Sequence, residues 1–150
     1  MPSVLPATDE RVPKHSSSDA NDRIREQMLQ RLRCYERADA AQISSRIAEL
    51  KGEWDIERVL EANAAGIALV GLTLGATVNR RWFALPAVVA GFLLQHALQG
   101  WCPPVPAFRR LGIRTSAEIH EEIVALKAMR GDFRSKHAGA DDLAEQVQLH

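Results

Sequence analysis

The sequence predicts an all-α protein, a two-helix transmembrane hairpin carrying amphipathic helical cytoplasmic arms. Three observations predict it. Two apolar runs, Ala64 to Val78 and Trp82 to Leu98, contain no Asp, Glu, Lys or Arg, although 25% of the 150 residues are charged. The runs flank a polar turn, Asn79-Arg80-Arg81. On either side of this block, apolar residues recur at helical rather than strand spacing.

The charges bound the partners. Lys plus Arg and Asp plus Glu number 19 each, so no basic field holds nucleic acid and no acidic field draws a basic protein. Cys34 and Cys102 stand on opposite sides of the first run with no metal-ligand spacing, which excludes a disulfide scaffold or a zinc knuckle and fits a reducing compartment.

Residues 1–21 are expected to form a disordered tail. Met1 to Ser18 holds three prolines and too little apolar area to offset the entropy of ordering. It also lacks the hydrophobic segment of a secretory signal. Residues 22–58 read as an amphipathic helical arm, with Met28, Leu32 and Tyr35 on one face and Ile43, Ile47, Leu50 and Trp54 repeating further on. The two stripes are out of register around Arg37 to Gln42 and Gly52 weakens the far end, so two helices or a broken one are expected. The stripe needs a partner: the arm packs on itself, dimerises, or lies on a membrane.

Residues 59–101 form the expected hairpin. The first run alone covers about 22 Å at 1.5 Å per residue, short of a hydrocarbon core of about 30 Å. Starting the span at Val59 recovers the length and puts Glu61 and Asn63 among headgroups, with Arg58 near phosphate and Trp54 as an anchor. The second run, about 26 Å long, is bracketed by Trp82 and Trp101. Ala64, Ala68, Gly71 and Gly75 fall on one side of the first helix, and Gly71 to Gly75 is a GxxxG motif. Glycine inside a helix costs about 1 kcal/mol in water, whereas in lipid it permits close approach. On the second helix Ala84, Ala87 and Gly91 make a matching small face that Gln95 continues, and the two faces are expected to meet, within a chain or between chains. Pro86 fits a first turn.

Residues 102–114 read as a proline-rich exit loop. A helix is predicted over 115–131, from the capping box Thr115/Glu118 to Gly131, with Ile119, Ile123 and Leu126 on its apolar face. It packs on the membrane surface or on the N-terminal helices. Residues 132–150 carry no strong pattern. The basic residues Lys51, Arg58, Arg109, Arg110 and Arg114 outnumber Arg80 and Arg81 of the turn, so both termini are expected in the cytoplasm.

No catalytic, cofactor or metal constellation is found. His120, Glu121, Glu122 and Val124 do not make a zincin pair, and there is no phosphate loop or GxSxG. His96 is ionisable inside a span; it lies a turn from the span's end, where it is expected to reach headgroups or bond Gln95 or Gln99. Those three residues would also be the lining of a polar path. Cys102 has no adjacent base to activate it.

From Ala62 to about Thr115 the chain resembles the YgaP-like transmembrane domain family of small bacterial inner-membrane hairpins. The shared order is a glycine-bearing first span, an aromatic-started second span with Gly91, then Gly100, Cys102-Pro103, Leu111-Gly112-Ile113 and Thr115. Cytoplasmic ends and a helix-packed homodimer are both compatible with the resemblance. In the founding type a rhodanese domain precedes the hairpin. Here Cys34 is followed by Tyr35-Glu36-Arg37-Ala38-Asp39-Ala40, which is no rhodanese loop, so sulfurtransferase activity is not implied.

The expected protein is a non-enzymatic, two-span bacterial inner-membrane anchor or scaffold. It sits in the lipid bilayer as a homo-oligomer, a dimer first, expected to assemble through Gly71, Gly75 and the Ala87/Gly91 face, and its arms are open to a cytoplasmic protein partner. Three other readings are open: an oligomeric channel or transport component, a redox accessory using Cys102, and a soluble all-helical interaction protein, which a mean hydropathy of -0.19 permits.

Overall fold

The computed structural model describes residues 10–134 together with Ala7, and among these the protein is all-helical with no strand. The helices are α1 (Arg11–Lys14), α2 (Ser18–Cys34), α3 (Ala40–Gly52), α4 (Ile56–Thr77), α5 (Ala84–Gln99), α6 (Val105–Arg110) and α7 (Ser116–Arg130), with short 3-10 turns at Arg80–Phe83 and Asp132–Arg134. The rest of the expected tails, 1–6, 8–9 and 135–150, lies outside the described residues.

α2, α3 and α7 form a head. Ile43, Ile47 and Leu50 of α3 pack against Ile119, Ile123 and Leu126 of α7, and Leu32, Tyr35 and Ala38 close the cluster from the α2 side. The apolar face of α7 therefore meets the N-terminal helices. Local chemistry sets the boundaries: Asp39 and Gln42 make a capping box at the start of α3, as do Thr115 and Glu118 at the start of α7. Gly131 ends α7 in the left-handed conformation. Trp54 falls beyond α3, in the link to α4, and is 51% exposed rather than part of the stripe.

A second cluster joins the head to the hairpin: Val12, Ile56, Leu60, Cys102 and Val105, with Phe108 and Ile113 against it. Two sequence expectations change here. Part of the anticipated tail is ordered, because α1 sets Val12, 1% exposed, into the gap between the base of α4 and α6. Apolar content counted along residues 1–21 overlooks a single side chain that fills a tertiary gap. The anticipated exit loop contains α6; Pro106 sits in its first turn, where a missing N–H costs nothing, and Val105 and Arg109 are buried.

α4 and α5 make an antiparallel hairpin, and its turn is capped by Asn79, whose Oδ1 accepts from the Arg81 amide at 2.9 Å. Two helical stretches, one ending at Thr77 and one spanning Arg80–Gln99, are long and apolar enough to cross a membrane, and only 22% and 6% of their apolar windows are buried. A soluble core helix would be mostly covered. Here Leu69, Val70, Leu72, Val78, Val88, Leu94 and Leu98 stand exposed around the hairpin, while the head closes its own cores.

Candidate membrane hairpin and its polar junction

The small face of α4 is turned toward α5, but what it receives is large. A Cβ on Gly71 would stand 2.7 Å from Pro86 Cδ and 3.1 Å from Leu85 Cβ, and one on Gly75 would stand 2.7 Å from the Phe83 ring. The two glycines are sockets for Leu85, Pro86 and Phe83. Ala64 is buried and Ala68 half-buried along the same side.

The small face of α5 does not meet them within the chain. Ala87 and Gly91 are exposed, Gln95 is half-buried, and a Cβ on Gly91 would touch nothing within 4 Å. The reason is volume. Leu85, Pro86 and Phe83 already occupy the space over Gly71 and Gly75, so the seam is filled without the small face of α5.

His96 is 5% exposed and faces the base of α4 instead of Gln95, Gln99 or solvent. Its Nε2 is 2.6 Å from Glu57 Oε2. Glu57 Oε1 accepts from Arg11 at 3.1 Å, and Arg11 also donates to the Ala97 carbonyl at 3.0 Å, one of the carbonyls left open at the end of α5. Gln99, by contrast, is exposed, so the residues proposed as a polar path point in different directions. The partner of His96 lies outside both apolar runs, at Glu57 in the first turn of α4.

Beside this junction the head holds a larger ionic cluster that the sequence reading missed. Glu122, 1% exposed, accepts from Arg31, Arg46 and Arg114, and Arg114 also binds Glu53. Arg109, equally buried, binds both oxygens of Glu118 and the Asn21 side chain. Burial alone would raise the Glu122 and Glu118 pKa values, but the arginine hydrogen bonds outweigh it and hold both below the usual carboxylate range. A signal was present: Glu122 sits inside the stripe Ile119, Ile123, Leu126, as Arg46 sits inside Ile43, Ile47, Leu50. A charge within an apolar stripe announces a buried ion pair.

Arg58 and Trp54 stack at the outer edge of the base, the guanidinium carbon 4.5 Å from the ring centroid. Cys102 is buried in the second cluster and burial pushes its thiol pKa up, the reverse of activation. Among the described residues no group of three or more His, Cys, Asp or Glu is placed to hold a metal ion. No family model, curated protein or solved structure matches the chain.

Proposed function

We propose that this chain is a non-enzymatic bacterial inner-membrane protein whose α4–α5 hairpin anchors a compact helical head at the cytoplasmic face. One observation carries the reading. The apolar residues of the hairpin point outward and stay exposed, among them Leu69 at 64%, Val78 at 69% and Leu94 at 63%, although the head needs none of them for its own cores. In water this surface is an aggregation hazard; in hydrocarbon it is the ordinary face of a span. The absence of charge from both runs, the tryptophans bracketing the second and the resemblance to the YgaP-like transmembrane domain family support the same reading.

Cytoplasmic ends follow from the basic residues around the head. Homodimerisation through the exposed Ala87, Gly91 and Gln95 side of α5 fits the proposal, since Gly71 and Gly75 are already filled from within the chain. The head then acts as a scaffold for a cytoplasmic protein. The channel reading loses support from His96, which is paired with Glu57 rather than facing a shared path. Fractionation tests the anchor: the full chain is expected to stay in the membrane pellet through alkaline carbonate, and its release would overturn the proposal.

A further inference from the structure

At the base of the hairpin, between the two spans and α6, lies a crevice of about 240 Å³. Ala64 and Ile67 of α4, Val89 and Phe92 of α5, and Cys102 and Phe108 beyond them form its walls. Its one polar wall residue, Asn63, already donates its side-chain N–H to the Val59 carbonyl at 2.8 Å. The lining offers water almost no hydrogen-bond partner, so an apolar occupant is favoured over the water that would otherwise fill it. Apolar cavities of smaller size stay dry and take apolar ligands.

The position of the crevice identifies its occupant. Its rim residues Ile67 and Phe92 are 46% and 37% exposed and continue directly into the outward apolar surface of the spans, while Ala64 and Cys102 are recessed at 9% and 5%. An α-helix of a second copy, about 10 Å across, is too wide to enter a recess of this volume. A single flexible hydrocarbon chain is not. We propose that this crevice is a lipid site that seats one acyl chain of a bilayer phospholipid. The proposal rests on the membrane reading above: once the spans are in lipid, acyl chains are the material in contact with the rim. Phe108 and the Pro103-Pro104 corner close the end toward the head, so the chain enters from the side.

The test uses the full chain reconstituted in phosphatidylethanolamine/phosphatidylglycerol vesicles with a phosphatidylglycerol that carries a photoreactive diazirine on one acyl chain. Crosslinks mapped by mass spectrometry are expected to concentrate on the wall residues over the outer-face residues Leu69, Val70 and Leu94. Ile67→Trp and Val89→Phe, both at partly exposed positions, are expected to cut wall labelling about tenfold and leave outer-face labelling unchanged. Three results overturn the site: equal labelling of wall and outer face, labelling that the blocking variants do not change, or labelling by a free fatty acid probe but not by the phospholipid. Flotation of the same vesicles separates the two proposals. Protein that fails to float refutes the membrane reading and the site together; protein that floats with unlabelled walls refutes the site alone.

Discussion

Gly100 and Arg11 approach so closely that a Cβ on the glycine would stand 2.6 Å from the Arg11 carbonyl carbon. Gly100 also has a φ of +77°, which ends α5 in the left-handed region and turns the chain toward α6. The contact is what seats α1 across the foot of the hairpin, with Arg11 reaching Ala97 and Glu57 and Val12 filling the second cluster.

Gly100→Ala is therefore expected to cost more than the left-handed backbone alone, about 1–2 kcal/mol, because Arg11 must also move. Gly112, with a φ of +84° and open space around it, is the control: Gly112→Ala meets only the backbone penalty. Trypsin cleavage after Arg11 and Lys14 should accelerate in Gly100→Ala and stay near wild type in Gly112→Ala.

Removing the central carboxylate of the head should be severe. Glu122→Gln leaves Arg31, Arg46 and Arg114 converging on a neutral group, and breaking a buried ion pair on one side costs about 3–5 kcal/mol. The lower end is expected, since Arg31 and Arg46 retain partial access to solvent. Arg31→Ala, which removes the most exposed of the three, should cost less. Urea unfolding of the head followed by circular dichroism in nanodiscs ranks the two variants.

Acid should loosen the head before it affects the spans. The folded Glu122 and Glu118 carboxyls titrate below the ordinary value, so the unfolded chain binds more protons between the two and stability rises with pH there. Their contribution is complete above about pH 5 and is lost as pH falls through the folded values. Melting temperatures measured from pH 6 to pH 3 should drop steeply in the wild type and more shallowly in Glu122→Gln.

The glycines of the two spans should separate by role. Gly75→Leu drives a side chain into the Phe83 ring and Gly71→Leu into Pro86, so both are expected to splay the hairpin. A disulfide engineered between the spans should then form poorly. Gly91→Leu meets nothing in the chain and should leave that disulfide intact while reducing dimer crosslinking in membranes. Undiminished dimer in Gly91→Leu would remove α5 as the interface.

Much of the fold was legible in the sequence because short-range chemistry encodes it. The missing charges of the two apolar runs, the Thr115/Glu118 box and the register break around Arg37 to Gln42 are local signals, and helices follow them. The junction was not legible. His96 and Glu57 lie 39 residues apart, and Glu122 gathers arginines from three other places in the chain, so only the packed helices bring them together. The same holds for the seam: composition identified small residues on α4, but whether small or large side chains fill them depends on the rotation of α5.

α4 runs unbroken from Ile56 to Thr77, about 33 Å, and its first turns belong to the cluster under the head while its remainder belongs to the apolar hairpin. It contains no proline, and no linker intervenes. The head is thus mounted on a stiff mast rather than tethered by a leash. On the membrane reading proposed above, a molecule that docks on the head meets it at a fixed height and tilt above the bilayer, and a sideways pull on the head is transmitted as torque into the membrane.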